Sequence, residues 1–240
     1  MLTYFSRPEK CISIHGGRNL LYGSEERAVA VKKILVSTRR PNTDNLGLKQ
    51  VGVRLNDDGG IWVNERLETS VEGVYPIGES TGGWMLSNAS SSMAVTAAEN
   101  TMIKRSKFSF HLVSRGIWTI PQVGMVGLSE EEAKERGIDI EIGLSPYSIH
   151  GLSMARDEMA GAVKVISRAR YGEILGVHIV GANATELVGK AVLAMQLEST
   201  VRELANTLGC TLLFQKLWSM RPERCQTGRC IYLGVKSQNY

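Results

Sequence analysis

A chain of 240 residues with 43% hydrophobic and 22% charged residues has the apolar content for one large core or two smaller ones. Its formal net charge of +4 resides in the last stretch, where Lys216, Arg221, Arg224, Arg229 and Lys236 stand against Glu223 alone. The rest is neutral overall, and no basic face interleaved with aromatics suggests a nucleic-acid partner. No apolar run is long enough to span a bilayer, and the opening MLTYFSRPEKC has no signal core, which predicts a cytoplasmic protein without a membrane partner.

Residues 1–33 show little periodicity and suggest the frayed end of some other unit. Ile34 to Asn45, ILVSTRRPNTDN, reads as an apolar strand ending in an Arg-Arg-Pro-Asn turn. Val51–Leu55 and Ile61–Val63 alternate around Asn56-Asp57-Asp58-Gly59-Gly60, which predicts a β-hairpin. Val74–Ile77 predicts a short buried strand ending at Gly78 and Glu79, followed by a Gly82-Gly83 turn and a small-residue helix from Ala89 to about Met102. Ser129 and Glu132 form a capping box for a surface helix that stops at Gly137. Gly161–Ile166 and Glu173–Val180 predict an antiparallel hairpin. Two helices then cover it, one capped by Asn183 and Glu186 and carrying Leu187, Val188, Ala191, Ala194, Met195 and Leu197, the other opened by Thr200 and Glu203. Strands followed by helices imply an α+β unit.

The chemistry concentrates at Thr69–Leu86, TSVEGVYPIGESTGGWML. At the end of a strand, Gly78 lets the backbone approach a ligand, and Glu79 offers two acceptor oxygens to neighbouring ribityl or ribose hydroxyls. The helix beyond presents backbone N–H groups and a partial positive charge to a pyrophosphate. The same stretch also fits G-x-S-x-G with Ser80 as a hydrolase nucleophile, although Gly83, Trp84 and Met85 prolong the loop where such an elbow passes directly into its helix. His178, inside GVHIVG, reads as a structural imidazole, His150 as a loop residue, and His15 and His111 as exposed. No histidine pair has metal-ligand spacing, so no metal site is expected.

Five strings in order, ILVSTRRPNTDNLGL, GGIWVNERLETSVEGVYPIGE, AAEN, VGLSEEEAKERGIDI and GEILGVHIVGANATELV, resemble the pyridine nucleotide-disulfide oxidoreductases, the dihydrolipoyl dehydrogenase branch in particular, over most of residues 31–208. The resemblance implies an α/β and α+β chain: the C-terminal part of a flavin-binding domain followed by an α+β dimerisation (interface) domain. It divides the chain into a remnant of a nucleotide-binding domain (1–33), the C-terminal segment of the FAD-binding and central domain (34–115), the dimerisation domain (116–208) and an aberrant, disordered tail (209–240). Glu79 stands where the family has an aspartate contacting FAD, beside Gly78. Met85, Leu86 and Ser87 stand where the backbone passes the flavin, and Thr38 falls at the NAD side. FAD and NAD are the implied cofactors. The implied partners are a second copy or a full-length relative, and a lipoyl-bearing acyltransferase. The implied reaction moves electrons from dihydrolipoyl thiols through a disulfide and FAD to NAD.

The departures argue for an inactive fragment. No G-x-G-x-x-G occurs in the 240 residues, so neither phosphate-binding βαβ unit is present. Cys225 and Cys230, CQTGRC, match the family's C-x4-C spacing but not its position; Cys11 and Cys210 are isolated. The family carries a further strand and turn between Val123 and Gly124, whose absence is expected to damage the interface sheet. The His-Pro-Thr-x-Ser-Glu motif expected after Leu208, whose histidine serves the family as an acid-base, is missing, so no catalytic residue is assigned. The tail predicts a frameshift, because Thr211 to Trp218, TLLFQKLW, admits codons that read one base earlier as His-Pro-Thr-Phe-Ser-Glu-Ala-Leu. The alternatives are a non-enzymatic dimerising fragment and a serine hydrolase using Ser80.

Overall fold

The computed structural model describes residues 39–102 and 105–207, together with the backbone of three strands within residues 8–31. Thr38, the strand expected from Ile34, His15, and the tail with Cys210, Cys225 and Cys230 lie outside the described residues. The chain divides into two compact units, residues 1–40 and 41–240.

The first unit holds an antiparallel sheet of β1 (Pro8–Ile14), β2 (Gly17–Tyr22) and β3 (Val29–Val31), with Cys11 opposite Leu20 and Asn19 opposite Ala30. Sequence reading assigns this stretch no fold, because Glu9-Lys10 in β1 and Arg18-Asn19 in β2 dilute the period-two apolar signal.

The second unit is built on a five-stranded antiparallel sheet in the order β4-β5-β8-β7-β6. Its strands are β4 (Arg115–Ile117), β5 (Gln122–Gly127), β6 (Ile140–Pro146), β7 (Ala162–Arg168) and β8 (Ile174–Gly181). Val126, Val163, Val177 and Ile179 alternate onto one face, where α4 (Ala184–Gln196) covers them with Leu187, Val188 and Ala191. Among the described residues the sheet shows no break at Val123–Gly124, where damage was expected. β5 runs unbroken through that point, with Val123 paired to Val180 and Gly124 to Ile179. A Cβ on Gly124 would approach the Ala184 carbonyl oxygen to 2.3 Å, so this glycine marks close approach of helix to strand.

On the opposite face α2 (Glu130–Glu135) seats Ala133 against Ile166 and Leu175, and a short α3 (Gly151–Ala155) lies between β6 and β7 in the chain. The capping box at Ser129 and Glu132 forms as read, and α5 (Val201–Asn206) starts with the same device at Thr200 and Glu203. The expected side-chain cap at Asn183 does not form. Asn183 lies in the left-handed region at φ 56° and contributes its backbone carbonyl to Glu186 and Leu187 instead, because a left-handed entry turns its side chain away from the first-turn amides.

Glu130 bridges Lys134 and Lys164 at 2.6 Å each, and hydrogen bonds from Lys134 and then Lys164 lower its pKa from 4.5 to about 2. A carboxylate with a depressed folded-state pKa stabilises the protein above its unfolded value and loses that contribution as pH falls through the folded value. Stability is thus expected to drop between pH 4.5 and about 2 more steeply in the wild type than in Glu130→Gln, as read by urea melts across that range. The difference should shrink in high salt, since Glu130 is exposed enough to be screened. Equal slopes would remove the triad from the account.

Residues 41–113 contribute one long helix, α1 (Ser87–Thr101), whose Ala89, Met93 and Ala97 bury against Leu67, Phe108 and Val113. The hairpin around Asn56–Gly60 forms but is short: Leu55 bridges Ile61, Asn56 N–H donates to the Gly60 carbonyl and Trp62 N–H to the Arg54 carbonyl, and the ladder ends where Arg54 N–H donates to Ser70 Oγ instead. One expectation fails here. Val74–Ile77 joins no ladder among the described residues, and Val74 and Ile77 remain 39% and 42% exposed. An apolar run of this length marks a strand only when neighbouring strands pair with it.

Candidate functional site

The 3₁₀ turn Gly78–Thr81 sits over the first turn of α1. Gly78, at φ 66°, lies so close to Ser90 that a Cβ would stand 3.0 Å from its Oγ, which explains glycine at this position. Ser90 in turn donates to the Leu86 carbonyl at 3.0 Å. Gly78 is buried, whereas Glu79 beside it is exposed and leaves its carboxylate open to a ligand's hydroxyls.

Between turn and helix, Gly82 (φ 74°) and Gly83 (φ 61°) fold the chain back, and Leu86 N–H closes on the Trp84 carbonyl at 2.8 Å. The start of α1 has no side-chain cap and no acidic residue in its first turn. With no side-chain cap, the start of α1 carries its partial positive charge beside Met85, Leu86 and Ser87. The structure brings Gly78, Leu86 and Ser87 together at one helix start, with Glu79 and Met85 adjacent in the chain. Next to them opens a cleft of about 500 Å³ whose walls include Trp62, Trp84, Met93, Phe108 and Phe110, with Asp57 and Asp58 at its polar side. The aromatic walls are a feature that sequence reading missed; they come from residues scattered over nearly fifty positions, with no local period to reveal them.

These residues fit one side of a flavin: an acceptor carboxylate, a close backbone approach and an uncapped helix start. They do not supply a pyrophosphate cradle, since no glycine-rich strand-turn-helix occurs in the sequence.

The hydrolase reading of Ser80 fails on geometry. Its hydroxyl donates to the Ile77 carbonyl at 2.8 Å, and α1 begins seven residues later, at Ser87, where a nucleophile elbow would enter its helix at once. His178 Nε2 is engaged with the Leu128 carbonyl at 2.9 Å, as a structural imidazole should be. His150 Nε2 lies 3.1 Å from Ser145 Oγ, and His111 is exposed. Among the described residues no three His, Cys, Asp or Glu gather as metal ligands, and no helix is long and apolar enough to cross a membrane.

Residues 10–98 match the pyridine nucleotide-disulphide oxidoreductase domain, and residues 113–218 match the pyridine nucleotide-disulphide oxidoreductase dimerisation domain. The chain belongs to the pyridine nucleotide-disulphide oxidoreductases. It is 37% identical to a dihydrolipoyl dehydrogenase of Thermus scotoductus over 78% of this chain and 40% of that protein. It is 35% identical to a dihydrolipoyl dehydrogenase of Buchnera aphidicola over 77% of this chain and 39% of that protein. The chain thus spans about two-fifths of the length of these relatives. Among solved structures, LpdA from Mycobacterium tuberculosis superposes with a TM-score of 0.77 at 22% identity, over 92% of this chain and 48% of LpdA. The HOCl-induced flavoprotein disulfide reductase RclA from Escherichia coli follows at 0.70 and 20%, over 92% and 51%. At such identities the structural likeness establishes the oxidoreductase fold: a flavin-binding portion followed by a dimerisation domain of mixed helix and antiparallel sheet.

Proposed function

We propose that this chain is the flavin-side and dimerisation portion of a dihydrolipoyl dehydrogenase-like oxidoreductase. The observation that carries the reading is the joining of a whole interface sheet to a helix start flanked by Gly78, Glu79 and Ser87. Within that enzyme FAD supplies two-electron transfer between a disulfide and NAD. Glu79 would hold ribityl or ribose hydroxyls through its carboxylate. Ser87 and its neighbours at the start of α1, which has no side-chain cap, would face the flavin with backbone N–H groups, and Gly78 would keep the approach clear of side chains. Thr38 is the residue proposed for the NAD side. The domain divisions at 33, 115 and 208 belong to the same reading, as do a cytoplasmic location, a homodimer and a lipoyl-bearing acyltransferase as partner.

Because these residues contribute only one wall of the pocket, the isolated chain is expected to purify colourless. Yellow protein with stoichiometric FAD after gel filtration would contradict this. The enzyme-fragment reading is tested by mixing the chain with an intact dihydrolipoyl dehydrogenase and recording native mass spectra. Heterodimers support a chain that pairs as the family does, and two separate sets of homo-oligomers count against a full-length relative as partner.

The tail carries a further expectation. Family likeness runs to Trp218, across the segment TLLFQKLW. Sequencing of the coding DNA is expected to show bases after Leu208 that read His-Pro-Thr-Phe-Ser-Glu-Ala-Leu in a neighbouring frame; bases that cannot be so read would end the frameshift account.

A further inference from the structure

The loop that carries Met85, Leu86 and Ser87 into α1 is held from two sides. From the turn at residues 56–60, Asp58 accepts the N–H of Gly60 at 2.9 Å and of Gly83 at 3.4 Å. Its carboxylate lies so near Gly82 that a Cβ there would come within 2.4 Å. From the interface sheet, the Arg115 guanidinium lies 4.0 Å from the centroid of the Trp84 ring, while its Nη2 donates to the Gly127 carbonyl at 3.3 Å.

Arg115 is therefore a strut with one end on β5 and the other on the tip of the loop. Burial lowers its pKa and the Glu132 carboxylate opposes that shift, so the guanidinium stays charged across the working range and its attraction to the indole face persists. Glu132 is itself fixed by the capping box of α2, which ties the strut to a second element of the dimerisation domain. Within the loop Gly82 and Gly83 take positive φ, Gly82 N–H donates to the Glu79 carbonyl and Leu86 N–H to the Trp84 carbonyl, and the helix start has no side-chain cap.

We propose that Arg115 is a positioning residue that sets the pose of the Gly82–Ser87 loop from the dimerisation sheet, so that the order of the ligand-facing backbone depends on the interface domain. Its bearing on a flavin rests on the reading given under Proposed function; the coupling does not.

Hydrogen exchange on the full chain without FAD tests it. Arg115→Gln is expected to speed exchange of peptides covering residues 82–90 about fivefold, the loss of one partly desolvated cation–π contact, while peptides in β7 and β8 keep their rates. Arg115→Lys, which retains the cation, is expected to recover part of the protection. In a Trp84→Phe background the stack survives and Arg115→Gln keeps its effect, whereas in Trp84→Ala it adds nothing further. Unchanged rates at 82–90, or equal acceleration of every peptide in the unit, would overturn the proposal. A chain that binds no flavin at all would leave these outcomes untouched, so failure of the flavin reading is seen separately.

Discussion

Given FAD, NAD and dihydrolipoamide, the 240-residue chain is expected to turn over no faster than buffer. Electron transfer from a dithiol to a flavin needs a thiolate beside the ring and a base to move its proton. The described side chains include no cysteine. Of the described imidazoles, His178 Nε2 is engaged with the Leu128 carbonyl and His150 Nε2 lies 3.1 Å from Ser145 Oγ. A rate that appears with FAD and disappears in Cys225→Ser would contradict the expectation and would make CQTGRC a redox pair.

The largest expected loss of stability comes from Tyr147→Ala. Tyr147 is fully buried in the main core, its hydroxyl donates to the Ala182 carbonyl at 2.8 Å, and Gly181 lies directly on its ring, where a Cβ would come within 2.4 Å of it. Burial, with Glu158 nearby, pushes the phenol above its ordinary range, so the hydroxyl remains a donor at neutral and mildly alkaline pH. Removing the ring leaves a cavity and an unpaired carbonyl, a cost of about 3–5 kcal/mol. Tyr147→Phe keeps the volume and should lose only about 1 kcal/mol. Urea unfolding of the two variants measures both; an alanine variant within 1 kcal/mol of the phenylalanine one would show that the ring is not a keystone of this core.

Much of the second unit was legible because its signals are local. Capping boxes at Ser129 and Thr200 need only two residues three apart, and the β7–β8 pair announces itself by β-branched runs on either side of a polar turn. Other features depended on partners that sequence does not display. Val74–Ile77 has the composition of a buried strand but no neighbour among the described residues with which to pair. The hairpin near Asp58 is cut short where Arg54 N–H leaves the ladder for Ser70 Oγ, a contact that joins distant stretches of chain. Gly124 shows the same limit from the other direction: the family resemblance places a missing strand and turn beside it, yet in space it is the place where α4 comes down on β5.

For the candidate site, the glycines and Glu79 were visible because positive φ and a strand-end carboxylate have residue-type signatures. The stack of Arg115 on Trp84 was not, since each is unremarkable in its own segment and the pair is made by the fold. The aromatic cleft was hidden for the same reason. Trp62, Trp84 and Phe108 come from three separate loop stretches that only the fold brings to one cleft.

Native mass spectrometry of the purified chain tests the central claim most directly, because one spectrum reports both pairing and cofactor. An intact interface domain joined to one wall of a flavin pocket predicts a dimer of twice the 26.3 kDa chain mass with no added FAD. A chain that stays monomeric at micromolar concentration, or a dimer that carries one FAD per subunit, would contradict it.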